Sequence, residues 1–456
     1  MYFMIKMMKK TILAFSFILA GFCLFAENNS FGIPDSAEIR RDIRETWLEA
    51  PLTTVRNNKP ELLNNIAGQK FQVRLEESDS TFNIFVSPEM MMNVDFMSDT
   101  GKITKKQEVY PGDATGSWVL IRNKKDGKPI RIRYYFVPNS DVYIQFSPYN
   151  RTSVCDLVIF GNYAVKNVPT GIPFDRFYTA SFAEVQRITK INVPWNFVTC
   201  DSEMYHSVHQ MAAVIREKLP GIVYHDTAMI DENNKTVDFA TGKEIQLEED
   251  SDKQPLSSAG FLKWIADGLV EPIAGGKLKR YPLLCQTVEY KDIGYQGVLS
   301  NQYSLSFALD FVRNLSSAVL SVNTGMVYKF NESGVDVTIE PFATGLTDNG
   351  IVNTVTFIKD CGYNIDVLRS LLYVLANTEP GTIYFGAIRE TDYRSPEVKV
   401  FNKNVVLMPY FETNGLFNCY VFINGTEMTL SDLLSRFRKD FVYLTRVRSN
   451  DTFFPE

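Results

Sequence analysis

The chain has 456 residues, 45% of them hydrophobic and 22% charged, with a formal net charge of -6. That composition is globular, and the length exceeds what one ordinary core organises, so two domains are expected. An acidic balance argues against nucleic-acid or anionic-membrane binding by general electrostatic attraction.

Residues 1–26 carry Lys6, Lys9 and Lys10, an apolar run from Thr11 to Ala20, and "GFCLFA" before the polar "ENNS". These are the three regions of a secretory signal peptide, so export with cleavage after Ala26 is expected, to a periplasmic or secreted location. The apolar run falls short of the roughly 20 residues of a membrane span, and no later segment approaches that length. Cys23 invites a lipid-anchor assignment, which the bulky Phe22 before it disfavours. Loss of the segment moves the formal charge to -9 and leaves Cys155, Cys200, Cys285, Cys361 and Cys419. An odd number at wide spacing is neither a zinc pattern nor a complete disulfide framework.

From about Gly68 to Pro169, short runs of alternating apolar and polar residues ("KFQVRLEES", "PIRIRYYFVP", "CDLVIFGNYAV") are broken by "KDGK", "PNSD" and "SPYNR". Period-two patterning at this spacing predicts antiparallel sheet, as a β-sandwich over 27–175. In "IRIRYYFV", Ile130, Ile132, Tyr134 and Phe136 share one face, with Arg131 and Arg133 on the solvated other. After Pro173 the period becomes helical: Val208, Met211, Ala212, Ile215 and Leu219 fall on one stripe. Residues 226–256 are polar and acid-rich, a loop with one hairpin at most. A helix follows from Ser258, then a mixed stretch, a helix "IDVLRSLLYVLAN", and a strand-rich tail. The domain boundary belongs between about 170 and 200, giving a second, α+β domain over 176–456.

In the helix after Ser258, Phe261, Trp264, Ile265 and Leu269 follow helical spacing and predict one buried stripe. Ser257 and Ser258 stand at its N-cap, where a hydroxyl accepts from a free backbone N–H. A helix N-terminus is also where cysteine enzymes place a thiolate, because the positive end of the dipole stabilises it.

The frame Ser257-Ser258-Ala259-Gly260-Phe261 resembles the Asp-Cys-Ser-Gly-Phe nucleophile motif of the NlpC-type, papain-like cell-wall peptidases. "EPGTIYFGAIRE", residues 379–390, is similar to that family's Pro-Gly strand, and "NKNVVLMPYF" follows where the family has its histidine strand. The resemblance covers roughly 255–445, with an insertion at about 271–350. It implies a papain-like fold whose nucleophile position is Ser258, whose base position is Asn404 (Lys403 if the frame slips by one), and whose orienting position is Asn418 on the next strand. The start of the Ser258 helix should then face an amide. A serine hydroxyl needs an adjacent base far more than a thiol does, and Asn404 cannot take a proton. No histidine follows Ser258.

The expectation is therefore an exported, catalytically inactive NlpC-like protein without metal or other cofactor. It would bind a peptidoglycan stem peptide or an envelope protein, not nucleic acid, through Ser258, Trp264 and Asn404. The alternative is an active peptidase or amidase of the same fold, using Ser258 or Cys361 with His225. Cys361 precedes a helix in "KDCGYNIDV" but stands too close to the Pro-Gly strand for the family's order. His206 and His209, one helical turn apart, lack a third zinc ligand. "DENNKTVD" lacks the glycine of a helix-loop-helix calcium site.

Overall fold

The computed structural model describes residues 32–98, 101–246, 253–288, 305–343, 356–392 and 395–455. The expected signal segment with Cys23, and the acidic loop at 248–252, lie outside the described residues. The chain divides into two compact units, one of residues 1–157 and 167–195, the other of 158–166 and 196–456. The first unit takes in the short helices after Pro173 and ends at Trp195. The expectation of a mixed α+β chain with a large antiparallel N-terminal sheet is met.

The strands of that sheet are β1 (Glu61–Asn64), β2 (Lys70–Glu77), β3 (Thr81–Pro88), β6 (Trp118–Asn123), β7 (Pro129–Tyr135), β8 (Val142–Tyr149), β9 (Thr152–Ile159) and β10 (Asn162–Pro169). They hydrogen-bond in that order as one eight-stranded sheet, while β4 (Met90–Ser98) and β5 (Gly101–Val109) form a separate ribbon. Each turn predicted from "KDGK", "PNSD" and "SPYNR" joins strands that pair with their sequence neighbours, so hydrogen bonding never divides into the two sheets a sandwich would show. Alternation buries Phe82, Ile84 and Val86 of β3 and Ile132 and Tyr134 of β7. Arg131 and Arg133 are half-buried, and Arg133 Nε donates to Gln145 Oε1 at 3.1 Å, so that face is partnered rather than simply solvated. A second cation, Arg40, is 1% exposed; its guanidinium lies 5.0 Å from the Trp118 ring centre and donates to the carbonyls of Tyr178 and Ala180, both at 2.9 Å. Buried charge is tolerated there because every nearby group is an acceptor or a π face.

The second unit begins with small pairings of β11 (Ile222–Tyr224), β12 (Ala228–Ile230), β13 (Thr236–Asp238) and β14 (Gln254–Leu256): β11 runs parallel to β14, and β12 with β13 is the one expected hairpin. Its main sheet contains β15 (Tyr363–Asn364), β16 (Thr382–Asp392), β17 (Ser395–Phe411), β18 (Phe417–Ile423), β19 (Thr426–Met428) and β20 (Phe441–Arg448), in the order β15-β20-β16-β17-β18-β19. All these neighbours are antiparallel. The strand entered through Pro380-Gly381 is β16, and Gly381 takes the left-handed φ of +74° that such a turn requires. Two long helices, Ser258–Ala274 and Phe307–Thr324, contact each other, and both pack on β17.

The helix from Ser258 departs from its predicted amphipathic form. Every residue from Ala259 to Val270 is buried, Lys263 and Asp267 included, because β12, β17 and the Phe307–Thr324 helix surround it. Among the described residues no helix is long and apolar enough to cross a membrane.

Candidate functional site

Ser257 caps the buried helix: its Oγ accepts from Gly260 N at 3.0 Å. This frees Ser258, the first helical residue, to turn its hydroxyl towards β17. Asn404 N donates to Ser258 Oγ at 2.7 Å, and Ser258 Oγ donates to Asn404 O at 3.2 Å. The reason lies in sheet geometry. Strand β18 pairs with β17 only from Val406 to Phe411, so residue 404 stands beyond the end of that pairing with an N–H and a C=O to satisfy. One hydroxyl, acting as both acceptor and donor, replaces the missing strand.

The predicted juxtaposition of residues 258 and 404, 146 positions apart, is therefore present, but through backbone. The Asn404 side chain is turned to the second long helix, where Nδ2 donates to Ala308 O at 3.1 Å, and the residue is 3% exposed. Trp264 is 5% exposed and stacks on Phe261 at 5.7 Å between ring centres, which makes it core. The binding roles expected of Trp264 and Asn404 are thus corrected: neither side chain is open to a ligand. Asn418 is also displaced from its expected role. Register puts it opposite Tyr410, its Nδ2 reaches Glu412 at 3.4 Å, and it is exposed. Lys403 pairs with Glu390 across the β16–β17 ladder.

The three histidines are engaged elsewhere or exposed. His225 N donates to Leu256 O at 3.0 Å, but its Nδ1 accepts from Thr227 N at 3.2 Å. A neutral ring with Nδ1 as acceptor carries its proton on Nε2, so it has no free lone pair for a serine proton. His206 is exposed. His209 Nδ1 lies 3.0 Å from the Tyr420 hydroxyl, and its ring is edge-on to Tyr410 at 4.7 Å. Among the described residues no cluster of three metal-ligating side chains occurs. Asp231 and Asp238 of "DENNKTVD" spend their carboxylates on turn amides, those of Asn233, Lys235, Ala240 and Thr241.

Burial, aided by repulsion from His206 and Arg216, lowers the His209 pKa below its ordinary 6.5. Between the lowered folded value and 6.5 the unfolded chain binds the proton more readily, so stability should fall as pH drops through that window. Urea unfolding midpoints at pH 7.5 and 5.5 should differ less in His209→Gln than in the wild type.

The five cysteines of the described residues are all free thiols. Cys361, the rival nucleophile, is 6% exposed and receives a contact from Arg389 Nη1 at 3.2 Å, with no imidazole among its hydrogen-bond partners.

Two charged constellations escaped the sequence patterning. Lys263 and Asp267, which lie off the predicted apolar stripe, form a buried pair at 2.6 Å, and Asp267 Oδ1 also accepts from Leu278 N at 2.9 Å. The signal was available: opposite charges at i and i+4 inside a helix otherwise apolar on every side. The second constellation borders a cleft of about 1450 Å³ in the second unit. Arg313, 3% exposed, donates through Nη2 to Asp360 Oδ1 at 2.7 Å and to the Tyr443 hydroxyl at 2.8 Å, and through Nη1 to Thr287 Oγ1 at 3.2 Å. Its guanidinium is held between the Phe330 and Tyr443 rings, 4.4 Å from each centre. The remaining Nε–H stands 3.9 Å from Asp336 Oδ1, and both atoms are buried without a hydrogen-bond partner. Asp310 and Arg313 within the apolar "FALDFVRNLSSAVL" are the trace this site leaves in the sequence.

Residues 29–197 match the model of a family described as a domain of unknown function (DUF8515). That span takes in the first unit from residue 29 onward and stops short of both the Ser258 contact and the Arg313 cleft. No curated protein and no solved structure matches the chain.

Proposed function

We propose that the second unit is a degenerate NlpC-type, papain-like domain that binds and does not cut, in an exported chain whose partner is a peptidoglycan stem peptide or an envelope protein. One observation carries the reading: at the position of a nucleophile, Ser258 Oγ is fully engaged by the backbone of residue 404, where the base would stand. The order of helix, Pro-Gly strand, base strand and next strand supports the kinship, since β16, β17 and β18 are antiparallel neighbours with the Ser258 helix packed on β17. An active enzyme using Ser258 or Cys361 with His225 is the poorer account, because His225 Nδ1 is already occupied by Thr227 N and the hydrogen bonds of Ser258 Oγ go to the backbone of residue 404.

The test is retention of the full chain on purified peptidoglycan beside a muropeptide-release assay. Retention without release is expected. Release that disappears in Ser258→Ala or Cys361→Ala would overturn the non-catalytic assignment, and failure of retention would transfer the binding role to an envelope protein. Ser258→Ala should instead register as a loss of about 1–2 kcal/mol in unfolding free energy, since it strips two hydrogen bonds from the Asn404 backbone.

A further inference from the structure

The ribbon of β4 and β5 exposes more apolar surface than a free ribbon should. Its two nine-residue strands pair without a bulge, and among the described residues neither joins another strand. A two-stranded ribbon alone is marginal in water; a third strand or a covered face is what makes such a sheet stable. Yet Met90, Met91, Met92, Phe96 and Met97 are all exposed, Met97 at 86%. Strand alternation sets Met90, Met92, Val94 and Phe96 on one face of β4, and Met91, Asn93, Asp95 and Met97 on the other. Apolar groups therefore stand on both faces.

The two outer edges differ. Strand β5 carries exposed Lys105 and Lys106, the kind of side chain that keeps an edge strand from pairing. From Met90 to Ser98, β4 has no proline, no lysine and a single charge, Asp95. Nothing in its sequence blunts that edge.

The same edge is complementary to itself. Antiparallel pairing about a two-fold axis at Val94 sets Met92 opposite Phe96 of the second copy, Met91 opposite Met97, and Asn93 opposite Asp95. A thioether then meets a ring on one face, and on the other an amide N–H can donate to a carboxylate between paired methionines. An axis at residue 93 would set Asp95 against Met91, and an axis at residue 95 would set two carboxylates face to face. The polar positions thus select one register.

We infer that β4 is a dimerisation edge: two copies of this chain join their β4 strands antiparallel about a two-fold axis at Val94, which completes a four-stranded sheet in the order β5-β4-β4-β5. The interface lies in the first unit and does not rest on the binding function proposed above.

The test is sedimentation velocity of the full chain and of three variants. The wild type should sediment as a dimer that dissociates on dilution. Asn93→Asp faces Lys106 within its own ribbon but Asp95 across the axis, twice per dimer, so it should weaken association about tenfold or more while the thermal melt stays in place. Val94→Cys meets itself at the axis and should form a covalent dimer on mild oxidation with diamide, above the background that exposed Cys285 gives in the wild type. Gln107→Cys, exposed on β5, should stay at that background. A wild type that is monomeric at about 100 μM, a dimer indifferent to Asn93→Asp, or cross-linking at 107 equal to that at 94 would each overturn the inference. A membrane or a different protein as the occupant of the ribbon would give the first of these results.

Discussion

Lys263→Met is expected to lower the unfolding free energy by about 3–5 kcal/mol, because it leaves the Asp267 carboxylate buried without its counter-charge. The two residues are 0% and 2% exposed, so water cannot take over from the ammonium. Burial already pushes the Asp267 carboxyl above its usual range against the pull of Lys263. With the lysine gone, the folded state holds the Asp267 proton more tightly than the unfolded chain does. Stability of the variant should therefore rise as pH falls from 7 towards about 4, where the unfolded carboxyl also protonates. The double variant Lys263→Met with Asp267→Leu should recover most of the loss, short of the hydrogen bond from Leu278 N. Denaturant unfolding of the wild type and the two variants at pH 7 and pH 5 checks the whole set. A single-variant cost below about 1 kcal/mol would mean that the pair is hydrated in solution.

Gly260→Ala should cost about 2–3 kcal/mol even though alanine favours helix by up to about 1 kcal/mol. A Cβ at 260 would stand 2.3 Å from the Ala228 carbonyl oxygen and 3.2 Å from Met229 Cα, and both belong to the backbone of β12, which has little room to retreat. Gly260→Val should leave no cooperative unfolding transition. Gly276, just past the same helix, is the control: nothing lies within 4 Å of a Cβ there, and alanine should change stability by less than about 0.5 kcal/mol. Thermal melts of the three variants decide the matter.

That glycine also shows what the sequence could and could not disclose. Gly260 in the stretch that resembles a nucleophile motif is accounted for here by packing alone, a carbonyl pressed against the helix. The strands of the first unit were readable because one face is buried and one is not, so burial follows a period of two, as in Phe82, Ile84 and Val86. Their single-sheet hydrogen bonding was hidden, since turn residues mark where a chain reverses and not how a sheet curves. The Ser258 helix misled for a related reason. Its apolar stripe was real, but a helix enclosed on all sides buries its charges too, and the i, i+4 spacing of Lys263 and Asp267 in an otherwise apolar stretch was the one trace of that burial. The approach of residues 258 and 404 was legible only through the resemblance, and its atoms were not: Ser258 meets the peptide groups of residue 404, which any amino acid there would present with the same C=O. The Arg313 and Asp336 pair lay beyond reach, because a missing hydrogen bond is a property of space and leaves no spacing rule behind.

The strand-like part played by the Ser258 hydroxyl bears on whether hydrolysis could be installed at this contact. Writing cysteine at 258 and histidine at 404 would supply the letters of a catalytic pair. The thiol would forfeit the tether that the hydroxyl gives to β17 beyond its pairing with β18, and the ring would inherit a side-chain direction already committed to the neighbouring helix at Ala308. A reactive pair at these two positions would require the sheet to be rebuilt around a new pairing, because the contact that joins them is made by the main chain.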